Sequence, residues 1–281
     1  MIATSFRTLA DVVVYRPRSL AEAVRIASET ELPPALLAGG TDMVAQFNEG
    51  RSAAEVVALA GLDELREITL RDDALHLGAM VTHADGSLDA TVRRVAPGFA
   101  AAWGKIANVR VRFTATLGGN LMARRTRYEM PVLLSALHGR VHFEGPGTPD
   151  SIAADSLAQH APAARAILTR AVIPLRGLVA FDYDRTLRPI MTLALCIRRV
   201  GDELRARAAI GTEAMQPHVL DFGFGHGEVR RIASNARDTA HQAFAALPVD
   251  VRDPYTSNAY LRGAGTALLT RALARVANGA D

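Results

Sequence analysis

Two glycine pairs carry the chemistry for which this chain can be read: Ala38-Gly39-Gly40-Thr41-Asp42 and Thr116-Leu117-Gly118-Gly119-Asn120. Adjacent glycines accept positive φ and leave no Cβ between backbone and ligand. The amides such a turn exposes form a concavity for an anion, above all a phosphate. Thr41, Thr116 and Asn120 add side-chain donors. Two such turns facing each other predict a clasp on both sides of a pyrophosphate. One Gly-Gly pair is also an ordinary turn, and the pair of them leaves both readings open. Neither has G-x-G-x-x-G spacing or a following Gly-Lys-Ser/Thr, which disfavours Rossmann and P-loop sites.

The elements that must position these turns are readable in outline. Ser19-Leu20-Ala21-Glu22 is a capping box, and Leu20, Ala23, Val24 and Ala27 continue it at helical spacing. Ala35-Leu36-Leu37-Ala38 and Val56-Val57-Ala58-Leu59-Ala60 read as buried strands, and Leu75, Leu77 and Ala79 as a half-buried one. Residues 89–107 are helical with an interruption at Pro97-Gly98, and 130–137 form a short helix with Pro131 in its first turn. Val109-Arg110-Val111-Arg112-Phe113 alternates as a strand does. Residues 144–150 read as a loop. Residues 189–200 and 203–210 predict an antiparallel hairpin across Gly201-Asp202. Gly223-Phe224-Gly225-His226-Gly227 reads as one loop. Leu268, Leu269, Ala272, Leu273 and Val276 mark an amphipathic helix stopped by Gly279. A domain boundary is expected at residues 174–178, marked by Pro174 and Gly177.

Composition narrows the classes. With 281 residues, 49% apolar and 22% charged, the chain is globular. Its single cysteine, Cys196, excludes an internal disulfide and an iron–sulfur cluster or Cys-rich zinc site built by this chain alone. A net charge of +3 without a basic tail argues against nucleic acid binding. No apolar run is long enough to span a membrane and the first residues lack a secretory pattern, so the expected location is the cytoplasm.

Other candidates weigh less. Arg124, Arg125 and Arg127 suit either phosphates or an acidic partner face, or form a solvated loop. Tyr128 reads as a half-buried tyrosine. His83 reads as a hydrogen-bonding residue at a helix start, and Trp103 as core or interface. His138 and His142 straddle Gly139, and His218 and His226 lack ligand-like neighbours, so no metal site is expected. Cys196 lies in an apolar run and reads as an inert thiol. No catalytic acid, base or nucleophile is assigned.

The segment from Leu36 to Asp42 resembles the first flavin motif of the FAD-binding (medium) subunit of molybdenum hydroxylases, the xanthine dehydrogenase and carbon monoxide dehydrogenase relatives. Thr116 to Leu121 resembles the second. Leu62 to Ile68, Leu77 to Ala84, Pro131 to Leu137, Ser257 to Arg262 and Leu268 to Leu273 resemble further segments of that family, in order. The resemblance implies an α+β chain. Residues 1–176 would be a two-lobed FAD-binding domain of the p-cresol methylhydroxylase/vanillyl-alcohol oxidase type, with lobes at about 1–60 and 61–176. Residues 177–281 would be a C-terminal domain of antiparallel sheet plus helices.

The same resemblance implies the site and the assembly. It places Leu36, Leu37, Ala38, Gly39, Gly40, Thr41, Asp42, Met43, Thr116, Leu117, Gly118, Gly119 and Asn120 at the FAD, with Ile106 and Glu129 near it. It also implies a small partner with two [2Fe–2S] clusters, a large partner with the molybdopterin cofactor, and a dimer of heterotrimers. The chain would relay electrons from the clusters through FAD to an acceptor. Alternatives are a stand-alone flavin oxidoreductase and a flavin-free assembly scaffold. Arg112 matches a family arginine. Arg110, Phe113, Ala115, Asp182 and Pro189 depart from the family pattern, as do Arg124-Arg125-Thr126 after the second motif, and they bear on the flavin-ring pocket.

Overall fold

The computed structural model describes residues 11–160, 163–187, 189–226, 229–245 and 257–279. The first elements are β1 (Val13–Tyr15), α1 (Leu20–Glu29), β2 (Ala35–Leu37), α2 (Met43–Asn48) and β3 (Glu55–Ala58). The strands form a parallel sheet in the order β1-β3-β2. Ser19 Oγ accepts from the Glu22 amide at 3.1 Å, while the Glu22 carboxylate accepts from the Arg18 amide at 2.7 Å. The capping box thus closes one residue early, and α1 buries Leu20 and Ala23 against Val57, Leu59 and Leu62.

A five-stranded antiparallel sheet follows, built from β4 (Ile68–Arg71), β5 (Ala74–Gly78), β6 (Arg140–Glu144), β7 (Ser151–Ala153) and β8 (Ile167–Pro174). Its order is β4-β5-β8-β6-β7. Between β5 and β6 the chain makes the helices α3 (His83–Leu88), α4 (Ala90–Val95), α5 (Pro97–Trp103), α6 (Val109–Arg112), α7 (Leu117–Met122) and α8 (Glu129–Ala136). Phe99, Trp103, Leu117, Met130 and Leu133 from these helices share one core with Leu75, Leu77 and Ala171 of the sheet.

The last part has β9 (Leu178–Arg185), β10 (Thr192–Val200), β11 (Glu203–Gly211) and β12 (His218–His226), then α9 (Ala236–Ala245) and α10 (Asn258–Asn278). The sheet is antiparallel, ordered β12-β11-β10-β9, and the β10–β11 hairpin turns at Gly201-Asp202. Both of its faces are covered. Ala194, Cys196 and Ala209 join the core of the five-stranded sheet, while Leu193, Leu195, Ala208 and Ile210 pack on α9 and α10. That double burial produces the unbroken apolar run of β10. It leaves Cys196 1% exposed, with burial pushing its thiol up to about 11.

Two readings of the sequence are corrected. Residues 109–112 are helical, because Asn108 Oδ1 accepts from the Val111 amide at 3.1 Å and so caps a helix that the alternation concealed. Residues 223–226 belong to β12 rather than to a loop. Phe222 and Phe224 stack edge to face at 5.6 Å, and Gly225 takes φ 63° where the register with β11 shifts. Gly227 lies outside the described residues. Among the described residues no helix is long and apolar enough to cross a membrane.

The junction of α5 with β9 gives a stability test. A Cβ at Gly98 would stand 2.1 Å from the Phe181 carbonyl oxygen, which is backbone and cannot turn aside. At Gly263, exposed within α10, a Cβ would meet nothing within 4 Å. Gly98→Ala is expected to destabilise the fold by about 1–3 kcal/mol, and Gly263→Ala to stabilise it by about 0.5–1 kcal/mol. Urea midpoints of the two variants check both signs.

Candidate functional site

The site is built where two helix starts are laid side by side. Thr82 and Thr116 pair across a single antiparallel bridge, in which His83 N donates to Ala115 O at 3.0 Å and Leu117 N to Val81 O at 2.9 Å. Each threonine caps the helix it begins. Thr82 Oγ1 accepts from Asp85 N at 3.1 Å, and Thr116 Oγ1 from Gly119 N at 3.0 Å. The Gly118 amide reaches Ala79 O at 2.8 Å, and a Cβ on Gly118 would stand 2.8 Å from the Ala79 Cβ. Glycine at 118 is therefore a packing requirement.

This arrangement corrects the expectation of two matching amide cradles. The second segment is the first turn of α7. The amides of Leu117, Gly118 and Gly119 are bonded as above, and Asn120 N donates to Thr116 O at 2.9 Å. The first segment differs. Gly40 takes φ +76°, open to glycine without strain, and the chain turns from β2 into α2. Among the described residues the amides of Gly39, Gly40, Thr41 and Asp42 have no acceptor. They are free backbone donors at the site.

The two segments touch. A Cβ on Gly39 would lie 2.0 Å from Thr114 O, and one on Gly119 would lie 3.7 Å from the Ala38 Cβ. Beside the contact opens a cleft of about 750 Å³, a size suited to a bound organic cofactor. Of the residues expected there, Leu36, Ala38, Gly39, Gly40, Thr41, Asp42, Met43, Ile106, Thr116, Gly119, Asn120 and Glu129 line it. Leu37, Leu117 and Gly118 do not. Phe47, Arg51, His83, Val111, Met122 and Tyr128 also line it, and of these sequence reasoning had weighed His83 and Tyr128 only.

Charge at the cleft is mostly positive. Arg51, Arg124, Arg125 and Arg127 border it, against Asp42 and Glu129. Asp42 is balanced: Arg125 Nε lies 2.9 Å from its Oδ1, and Gln46 also donates to it. Arg124 donates to Ala158 O at 2.9 Å, while Thr126 and Arg127 both reach Glu213 on the connection between β11 and β12. Arg124 and Arg127 sit at φ 47° and 63°, left-handed values that side chains adopt at a cost. Glu129 accepts from Arg185 Nη1 at 2.7 Å and from Tyr183 Oη at 3.1 Å, tying β9 to the cleft. Burial raises its carboxyl above the ordinary range, opposed by the charge of Arg185.

His83 is fully buried. Its Nδ1 accepts from Trp103 Nε1 at 2.8 Å, and its Nε2 lies 3.5 Å from the Asn120 carboxamide nitrogen. Burial, helped by the Arg112 cation, lowers its pKa to about 4, so the ring is neutral throughout the physiological range. Spacing could not reveal the contact, because 37 residues separate His83 from Asn120 and tertiary contacts such as the Thr82–Thr116 bridge bring them together. Tyr128 is half-buried, and burial raises its phenol, so it stays neutral as well. Among the described residues no cluster of His, Cys, Asp or Glu is placed to hold a metal.

A donor-lined, cationic cleft of this kind suits an anionic organic ligand. Residues 5–176 match the family described as the FAD binding domain in molybdopterin dehydrogenase, and the chain belongs to that family. The caffeine dehydrogenase subunit beta of Pseudomonas sp. (strain CBB1) is 32% identical over 123 residues, 43% of this chain and 42% of that protein. The xanthine dehydrogenase FAD-binding subunit of Escherichia coli O157:H7 is 36% identical over 110 residues, 38% of this chain and 37% of that protein. The chain thus spans about two-fifths of the length of the curated relatives it matches.

Over nearly the whole chain the fold agrees with solved structures. Quinoline 2-oxidoreductase from Pseudomonas putida 86 gives a TM-score of 0.83 at 23% identity, covering 97% of this chain and 99% of that one. Carbon monoxide dehydrogenase from Hydrogenophaga pseudoflava gives 0.81 at 20% identity, with the same coverage.

The neutral His83 predicts an acid sensitivity. An unfolded histidine takes up a proton near pH 6.5 but this one only near pH 4, so stability falls as pH drops through that window. The full span corresponds to about 3 kcal/mol. Gln accepts and donates at once but does not titrate. His83→Gln is therefore expected to lose stability less steeply than wild type between pH 6.5 and 4, as read from urea midpoints at each pH.

Proposed function

We propose that FAD lies in this cleft with its pyrophosphate on the Gly39-Gly40-Thr41-Asp42 turn. The observation that carries this reading is the set of amide donors at that turn without acceptors among the described residues, beside Arg124 and Arg125. A pyrophosphate brings acceptor oxygens and negative charge, and it matches such donors without a side-chain base. Ile106, Val111 and Met122 supply apolar wall for a ring system. The departures from the family pattern leave the turn intact. Arg110 and Phe113 are exposed, Ala115 takes part through its backbone, and Asp182 pairs with Arg275 of α10 at 2.7 Å. Pro189 lies just before β10.

Bound FAD supplies reversible one- and two-electron redox chemistry. This chain's residues bind and orient it: the first turn donates hydrogen bonds, the Arg124–Arg127 loop adds positive charge, and Arg125 holds the two segments together through Asp42. We read the chain as the FAD subunit of a molybdenum hydroxylase-type complex, carrying electrons from partner iron–sulfur clusters to an acceptor. Two relatives named as subunits of dehydrogenases support this. So does the lone, buried Cys196, which cannot hold a cluster. A large molybdopterin-binding and a small [2Fe–2S] partner, a dimer of heterotrimers and a cytoplasmic location complete the proposal.

Gly40→Val forces a β-branched side chain into a left-handed position at the turn. It is expected to weaken FAD binding at least about tenfold while the far-ultraviolet spectrum is kept, as checked by flavin fluorescence titration and circular dichroism. Wild-type chain that takes up no FAD, alone or with coexpressed partners, would favour the scaffold reading.

A further inference from the structure

Asn120 is the part of the second segment with bonding capacity left to offer. Its backbone amide is spent, yet Oδ1 of its carboxamide is buried without a partner among the described residues, while Nδ2 is the end placed 3.5 Å from His83. A carboxamide is an acceptor at one end and a pair of donors at the other, so its use depends on which way it is turned. The neighbours behind it decide this. An indole N–H only donates, so the 2.8 Å contact from Trp103 Nε1 makes His83 Nδ1 an acceptor that bears no proton. The neutral ring then carries its proton on Nε2, which faces Asn120. A donor in that place is matched by the carboxamide oxygen and repelled by its NH2.

Trp103 is in no position to release this arrangement. Its ring is fully buried, tilted against Phe99 at 5.2 Å between centroids, and covered by α3 so closely that a Cβ on Gly86 would lie 2.1 Å from it. Burial and the Arg112 cation keep His83 from gaining a second proton. The chain of contacts therefore has one direction, from indole through imidazole to carboxamide.

We propose that Trp103 and His83 are positioning residues for the cofactor: they hold the Asn120 oxygen inward and turn its NH2 toward an acceptor oxygen of the bound flavin nucleotide. This rests on the assignment of FAD to the cleft. It adds a directional contact that the second segment's amides, bonded within the chain, cannot supply. The donor is uncharged.

The test uses the full chain with ring-labelled histidine, and FAD itself as the ligand. Nitrogen–proton correlation spectra, with the His83 signal assigned by its loss in His83→Gln, are expected to show a protonated Nε2 and a bare Nδ1. A proton on Nδ1, or a doubly protonated ring at pH 7, overturns the proposal. In fluorescence titrations His83→Gln, which can accept from Trp103 and donate to Asn120, is expected to stay within about threefold of wild type. His83→Leu is expected to bind about tenfold more weakly or worse. Trp103→Phe, which keeps the ring contact but frees the tautomer, is expected to fall between them. Equal affinity of His83→Leu and wild type overturns the proposal, and so does an equal loss in His83→Gln and His83→Leu. If His83→Leu does not fold, the tautomer and the comparison of His83→Gln with Trp103→Phe decide. Wild-type chain that binds no FAD refutes the cleft assignment instead, and the ring spectrum still tests the indole-to-imidazole half by itself.

Discussion

Thr82 and Thr116 face each other across one antiparallel bridge, each capping the helix that starts beside it. From that contact follow the position of α7 against β5, the need for glycine at 118, and the approach of His83 to Asn120. The bridge uses the Leu117 amide, and the amides of the second glycine pair are taken by Ala79 O and the Thr116 hydroxyl. The cleft is thereby asymmetric, with backbone donors on the first turn and a side-chain amide on the second segment. Two glycine pairs alike in composition do different work: the first packs Gly39 on the Thr114 carbonyl and leaves its amides open, whereas the second packs Gly118 on Ala79 with its amides bonded.

Electrostatics add a second organising element. The loop after α7 places Arg124, Arg125 and Arg127 at the cleft and sends its side chains to three destinations: Ala158, Asp42 and Glu213. It links the parallel-sheet lobe, the helical layer and the C-terminal sheet at one point. Holding Arg124 and Arg127 in left-handed conformations costs of order 1–3 kcal/mol each. Only contacts that fix the backbone around them can offset that. Arg125 also balances Asp42, a carboxylate that would otherwise oppose an anion on the first turn. Glu129, held by Tyr183 and Arg185, brings β9 to the same cleft from the other side.

Much of this was legible in the sequence, and the rest was not for identifiable reasons. The first turn was readable because an apolar strand stops at Gly39-Gly40, a local pattern with a local cause. The β10–β11 hairpin and the Gly279 stop of α10 were readable for the same reason. The strand-like alternation of residues 109–113 misled because so short a run fits a capped turn of helix equally well, and Asn108 decided it. The three glycines of residues 223–227 suggested a loop because composition does not show that Phe222 and Phe224 share a sheet. The engagement of the Leu117 and Gly118 amides depends on Val81 and Ala79, more than 30 residues away, and no periodicity carries that information. His83 was weighed as an ordinary hydrogen-bonding histidine. That is correct as far as it goes, but its partners, Trp103 and Asn120, come from different helices.

The unbonded amides of the first turn are the donors expected to meet the cofactor's phosphates. Amide hydrogen exchange of the full chain with and without FAD tests this at residue level. The account predicts new protection concentrated at Gly39, Gly40, Thr41 and Asp42, with little added at Leu117 to Asn120, whose amides are already bonded, and none in α9. Protection gained at 117–120 while 39–42 exchange unchanged would contradict it, as would a cofactor-dependent change confined to the C-terminal sheet.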